Sequence, residues 1–223
     1  MTSTSTAPRQ VDEPASLAER AYRDIRDRLI MLDIRPGAPI DDRQLSQDLG
    51  VGRTPVREAL KRLETDHLVI SYPRRGTFAT IVDITELADV SELRRVLEPL
   101  AASKAAMVAT DEVRSQLDLL ARDIGSRAGR LEDKRGLMEY DLDVHRLIYR
   151  AAGNPHLEDT LIRLDNLATR IWCLVLDKVP SVSGHIDEHV DLLVAIAGGD
   201  ADRAAALALE HITSFERTIR AVL

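Results

Sequence analysis

The sequence predicts a mainly α protein, an N-terminal winged helix-turn-helix followed by an all-α antiparallel helical bundle. Three observations carry that prediction. Only 3% of the 223 residues are aromatic while 44% are hydrophobic. The core is therefore aliphatic, and the Ala/Leu-rich C-terminal two-thirds suits helices packed on helices. Two short helical stretches, "DDRQLSQDLG" and "TPVREALKRLETD", meet at the glycine-containing turn "GVGR". The β-rich stretch "LVISYPRRGTFATIV" follows, and helical periodicity then runs from Thr85 to the end.

Taken in order, residues 1–16 form a Ser/Thr/Pro-rich tail expected to be disordered. The first helix starts at about Leu17 and places Ala18, Ala21, Ile25, Leu29 and Ile30 on one face. It stops before Pro36-Gly37, which cannot continue it. Pro55 lies near the start of the second short helix, where its missing N–H is harmless. The turn "PRRG" folds the β-rich stretch into a hairpin. Breaks near Gly125–Gly129, "GNP" 153–155, "VPSVSG" 179–184 and "GGD" 198–200 divide the remainder into six or seven helices. The expected division is a tail at 1–16, a winged helix-turn-helix domain at 17–82 and a helical effector-binding and dimerisation domain at 83–223.

The net charge of −7 argues against a protein coated for nucleic acid, but its distribution is uneven. Residues 1–80 carry 13 Lys and Arg against 12 Asp and Glu, and within 43–76 the ratio is 7 to 4. The acid lies in the C-terminal part. No apolar run reaches the roughly 18 residues of a membrane span, and the N-terminus has no apolar signal segment. With a single cysteine, Cys173, the chain fits a reducing compartment, and the expected location is cytoplasmic, with no membrane partner.

The arginines of the first domain divide their positions. Arg53 and Thr54 lie at the N-terminus of the second short helix, Arg57 follows one turn later, and the hairpin tip adds Arg74, Arg75 and Gly76. Such a helix end can enter a major groove, where arginine reads guanine with two hydrogen bonds. The wing reaches flanking backbone or a narrow minor groove, whose negative potential suits arginine. Solvated arginines on an ordinary helical hairpin are the plainer alternative. The order of turn, basic helix and basic hairpin within one short stretch favours DNA binding.

The second domain has a different oddity. In "MEYDLDVHRLIYRAAGN", residues 138–154, one helical side carries Glu139, Asp143, Arg146 and Arg150. The opposite side carries Val144, Ile148 and Ala151, yet also Asp141 and His145, one turn apart. His189 is centred on the apolar face of Ile186, Leu192, Leu193 and Ile196, and His211 on that of Ala204, Leu207, Ala208 and Phe215. Each alone reads as a core residue with a satisfied hydrogen bond. Together they suit a borderline divalent ion such as Zn²⁺ or Ni²⁺, since helical bundles build metal sites from inward-facing donors. His185, one turn before His189, competes as a ligand by geometry alone. Arg94 also faces inward, with Leu87, Val90, Leu97, Ala101 and Ala105. It either pairs internally with Glu98 or grips a ligand carboxylate. Asn166 and Arg170 are further candidates whose direction the periodicity leaves open.

"PGAPIDDRQLSQDLGVGRTPVREALKRLETDHLVISYPRRGTFA" resembles the winged helix-turn-helix of GntR-type transcription regulators. "ELRRVLEPLAASKAA", "DLDVHRLIYRAAGNPHL" and "EHVDLLVAIAGGDADRAAALALEHI" resemble the FCD effector-binding domain of the FadR subgroup. The resemblance implies DNA contacts at Arg43, Arg53, Thr54, Arg57, Arg75 and Gly76. It implies metal ligation by Asp141, His145, His189 and His211, with His185 in a supporting place. It further implies a homodimer on a palindromic operator. A small organic or sugar acid completing the metal's coordination, with Arg94 as an effector contact, is the expected signal. Gly52 replaces the usual Ser cap, His67 the usual Gly, and Val144 the usual aromatic; none removes an expected contact. The rivals are a metal-independent regulator with an acyl-CoA-like effector and a metal-dependent hydrolase. The second lacks a positioned general base, so no enzyme activity is expected.

Overall fold

A computed structural model describes residues 16–127 and 133–223, so all but Ser16 of the expected tail lies outside the described residues. These residues divide into two compact units: 16–27 with 39–78, and 28–38 with 79–223.

The elements of the first region are α1 (Leu17–Ile30), β1 (Pro39–Ile40), α2 (Asp42–Asp48), α3 (Arg53–Thr65), β2 (Val69–Tyr72) and β3 (Gly76–Ala79). Asp41 caps α2, its carboxylate accepting the N–H groups of Arg43 and Gln44. Gly52 caps α3 with no side-chain hydrogen bond, as its composition requires. One face of α3 buries Val56, Ala59, Leu60 and Leu63. Tyr22 donates its hydroxyl to Asp66 at 2.8 Å, and the Arg62 guanidinium lies 3.9 Å from the Tyr22 ring centre. His67 has φ +60°, a left-handed conformation in the place where the resemblance led one to expect glycine. Gly76, at φ +96°, shapes the hairpin tip. The sheet has one strand more than the hairpin foresaw: its order is β1-β3-β2, with Pro39 opposite Phe78 in an antiparallel pair. A two-residue strand has no alternation to read, and Pro39 is tolerated because β1 is an edge.

The second region holds a 3-10 turn (Ile84–Glu86), then α4 (Leu87–Val108), α5 (Asp111–Arg127), α6 (Lys134–Ala151), α7 (Pro155–Val175), a 3-10 turn (Leu176–Lys178), α8 (Ser183–Gly198) and α9 (Ala201–Arg220). Among the described residues these are six helices, within the range expected. Helix α4 is the centre of the bundle and packs on α6, α7, α8 and α9, while α5 packs on α8. The break between α4 and α5 was not foreseen, because neither glycine nor proline marks it. Ala109 leaves the helical conformation at ψ 133°. The Arg114 guanidinium then gathers the carbonyls of Ala106, Ala109, Ile196 and Ala197 at the helix ends, where the regular helical pairing stops. The expected break near Gly125–Gly129 falls partly outside the described residues.

Helix α4 is apolar on two sides. One side buries Leu87, Val90, Ala101 and Ala105. The other carries Leu93, Val96, Leu100 and Met107, which are 53%, 67%, 48% and 61% exposed. Their spacing places all four on one stripe. Among the described residues no helix is long and apolar enough to cross a membrane.

Candidate metal centre and nucleic-acid interface

Helix α6 supplies Asp141 and His145, α8 supplies His189, and α9 supplies His211. All four are at most 3% exposed. The structure brings them together as the sequence pattern suggested. His145 Nε2 lies 3.2 Å from His211 Nε2 and 3.2 Å from His189 Nε2. Asp141 Oδ1 is 3.6 Å from His189 Nε2 and 3.9 Å from His145 Nε2. Donors about 2.0–2.2 Å from a common ion stand roughly this far from each other, so the residues fit a divalent cation. A second observation agrees. Asp141 Oδ1 is buried and has no hydrogen-bond partner among the described residues, a state that a cation would relieve.

Each histidine presents its other ring nitrogen to an oxygen. His145 Nδ1 faces the Tyr149 hydroxyl at 3.1 Å and Glu98 Oε2 at 3.5 Å. His189 Nδ1 faces the Ile186 carbonyl at 3.3 Å. His211 Nδ1 faces Glu188 Oε2 at 2.9 Å.

Electrostatics sort the rings. Burial pushes His189 down to about 3, and burial with neighbouring imidazoles pushes His211 well below the usual range. Burial also acts downward on His145, but the carboxylates of Glu98, Asp141 and Asp165 outweigh it and lift the ring to about 9. Burial would raise Asp141, yet His145, His185 and His189 hold it below the usual carboxylate range. A buried site whose carboxylates call for a cation is the result.

His185, the competing ligand, lies alongside. Its Nε2 is 3.4 Å from Asp141 Oδ1. Its ring stacks on His211 with centres 4.1 Å apart at 22°, and lies tilted by 50° against Trp172 with centres 4.4 Å apart. Stacked imidazoles direct their in-plane lone pairs in parallel, so His185 and His211 do not converge on one ion.

Arg94 is engaged inside the bundle. Its Nε donates to Glu98 Oε1 at 2.5 Å and its Nη2 to Asp165 Oδ1 at 3.3 Å. Of the two readings of Arg94, the internal pair is the one that this conformation realises. Asn166 is buried and points inward, and neither atom of its amide has a hydrogen-bond partner among the described residues; the same is true of Asp165 Oδ2, Ser91 Oγ and Trp172 Nε1. Arg170 takes another course, donating to the hydroxyl and the carbonyl of Thr80 at 2.7 Å each. Burial lowers it to about 10. Glu98, Tyr149, Asp165 and Glu188 were missed as neighbours of the cluster. Glu98, one turn from Arg94, and Tyr149, one turn from His145, left a signal in their spacing; Asp165 and Glu188, whose partners lie on other helices, did not.

In the first unit, Arg43, Arg53, Thr54, Arg57, Arg75 and Gly76 are all exposed. Arg53 Nη2 donates to Asp42 Oδ1 at 2.9 Å, and Arg57 Nε donates to Asp42 Oδ2 at 2.6 Å. These bonds, that from Arg57 foremost, lower Asp42 below the usual carboxylate range. Arg53, Arg57 and Gly76 line one cleft, together with Lys61 and Thr77. Arg43, Thr54 and Arg75 stand outside its lining. Lys61 was missed, although the spacing 53, 57, 61 is one helical face.

Comparison with known proteins agrees with both halves. The family profile "FCD domain" matches residues 89–214, and "Bacterial regulatory proteins, gntR family" matches residues 17–79. The chain is 24% identical over 219 residues to the HTH-type transcriptional repressor RspR of Escherichia coli K12, covering 97% of this chain and 95% of that protein. It is 30% identical over 181 residues to the Nta operon transcriptional regulator of Aminobacter aminovorans, covering 80% and 82%. The solved structure of E. coli McbR/YncC superposes with a TM-score of 0.80 at 20% identity, covering 93% of this chain and 99% of that one. This last likeness is one of fold.

Proposed function

This chain belongs to the gntR family of bacterial regulatory proteins, DNA-binding transcription regulators, and carries an FCD effector-binding domain; from that premise we propose that it is a metal-dependent, acid-sensing homodimer. Residues 17–82 bind one half of a palindromic operator, and 83–223 bind the effector and the second protomer. Arg53, Thr54 and Arg57 read bases, Arg43 contacts the adjoining backbone, and Arg75 with Gly76 follows the flanking groove. Asp141, His145, His189 and His211 hold a Zn²⁺ or Ni²⁺ ion. When bound, the ion supplies a positive charge with open coordination positions for the carboxylate of a small organic or sugar acid. Arg94 reaches the effector only by exchanging Glu98 or Asp165 for its carboxylate. The protein acts in the cytoplasm, where its operator lies.

One observation carries this reading: three Nε2 atoms converge on a buried, unpartnered carboxylate oxygen. Dimerisation has its own support in the exposed stripe Leu93, Val96, Leu100 and Met107 of α4, since apolar patches of this kind mark interaction sites and a two-fold operator calls for a two-fold protein. The test is a thermal-shift screen of organic and sugar acids, run with and without added Zn²⁺. A ligand of the folded state raises stability by mass action. We expect acids that stabilise only the metal-loaded protein; acids that stabilise both forms equally, with no ion found by elemental analysis, would overturn the metal's part.

A further inference from the structure

Glu188 stands immediately before His189 on α8, yet its carboxylate turns to α9. Its Oε2 lies 2.9 Å from His211 Nδ1, and its Oε1 accepts the Ser214 hydroxyl at 2.8 Å. Both carboxylate oxygens are thus held by α9, from residues 23 and 26 positions away. Unlike Glu98, whose side chain is 4% exposed, the Glu188 side chain is 35% exposed.

We propose that Glu188 is the positioning residue of His211, accepting the proton of Nδ1 so that Nε2 keeps the lone pair that faces the metal. The inference rests on the metal reading above. A neutral imidazole has one N–H and one lone pair, and the hydrogen bond made by one nitrogen decides which nitrogen binds the ion. A carboxylate at Nδ1 fixes that choice, fixes the plane of the ring and makes Nε2 more basic. The plane matters here because His185 stacks on the same ring. Ser214 keeps the carboxylate from rotating away. His211 needs such help more than His189 does: His189 has a main-chain carbonyl of its own helix at Nδ1, whereas Nδ1 of His211 meets a side chain from another helix. The pairing also ties α8 to α9 at the ion.

His185, Glu188 and His211 also place donor atoms within 4.8 Å of one another, as the ligands of a second cation would. Two features disfavour it. His211 Nδ1 would have to give up its proton while Nε2 already faces the first ion, and the stacked rings of His185 and His211 do not converge.

The experiment measures Zn²⁺ affinity by competition with a chromophoric chelator for the full chain and for Glu188→Ala, Glu188→Gln and Ser214→Ala. We expect a loss of about 10–100-fold for Glu188→Ala, a smaller loss for Glu188→Gln, whose amide oxygen still accepts from Nδ1, and the smallest for Ser214→Ala. The thermal midpoint of the metal-free protein should hardly move, since Glu188 is half-buried, while the gain on adding Zn²⁺ shrinks. Long-range ¹H–¹⁵N spectra of the metal-free chain should show His211 protonated at Nδ1 in the wild type and a tautomer mixture in Glu188→Ala. Wild-type binding with unchanged affinity in both Glu188 variants overturns the inference alone. Two ions per wild-type chain, one of them lost in Glu188→Ala, overturn it in favour of a second site. A wild type that takes up no Zn²⁺ ends the metal reading and the inference with it.

Discussion

Arginine meets carboxylate in both halves of this chain, under opposite conditions. In the first unit Arg53 and Arg57 share Asp42 at the surface, with the arginine side chains 47% and 64% exposed. In the second, Arg94 joins Glu98 and Asp165 where all three side chains are at most 4% exposed. An exposed pair contributes little, because water and salt screen it, and its arginines can exchange one anion for another. A buried set cannot lose a member without leaving a charge uncompensated. The first arrangement suits groups that would be handed to phosphates and bases, the second a scaffold that would hold the proposed metal ligands still.

The comparison breaks most visibly if the buried arginine proves dispensable. Arg94→Ala strands Glu98 and Asp165, and should destabilise the fold by about 3–5 kcal/mol in urea denaturation. A change below about 1 kcal/mol would show that the carboxylates find other partners and that Arg94 is free for a ligand. Next in size is the ion. A protein held at 100 times the dissociation constant in free Zn²⁺ gains roughly 2.7 kcal/mol, so chelation should lower the thermal midpoint. His145→Ala and His189→Ala should lack that response, whereas His185→Ala should keep it. The reverse pattern would exchange His185 for a predicted ligand.

The surface arginines should behave in the opposite way. Arg53→Ala and Arg57→Ala should each remove about 1–3 kcal/mol of discrimination between a duplex selected by the wild type and random DNA. Their folding stability should stay within about 0.5 kcal/mol of wild type. Anisotropy titrations and melting curves on the same samples report both quantities. Arg75→Ala should instead weaken binding to every duplex evenly. The smallest effect belongs to Asp42→Asn, which releases both arginines. It should strengthen binding to random DNA by roughly 0.2–1 kcal/mol, and weaker binding would mean that Asp42 holds the arginines in their reading posture.

Much of this was readable along the chain, because it depends on near neighbours. Helix α1 stops at Ile30, ahead of Pro36-Gly37 as expected, with the turn itself made at Leu32 at φ +60°, and "GVGR" turns α2 into α3. The 3.6-residue period placed Asp141, His145, His189 and His211 on inner faces, where burial confirms them. A polar residue on an apolar stripe is visible in one dimension, and so was its candidacy as a ligand. The two-residue strand β1 and the break at Ala109 were not visible, since the first exists only through its pairing with β3 and the second has no punctuating residue.

What tertiary structure alone decided are the partners. Arg94 meets Asp165 from 71 positions away, His145 meets His211 from 66, and Arg170 meets Thr80 from 90. Periodicity tells which face of a helix a side chain occupies, but not which helix lies opposite or at what height. The inward direction of Asn166, the approach of Asp165 to Arg94 and that of Glu188 to His211 Nδ1 therefore depended on how α4, α7, α8 and α9 pack. The sequence by itself determined that Asp141, His145, His189 and His211 face inward, as does Arg94. Packing determined which of those groups meet each other, because hydrogen bonds and ligand geometry reach only about 3 Å while the chain positions they join are tens of residues apart.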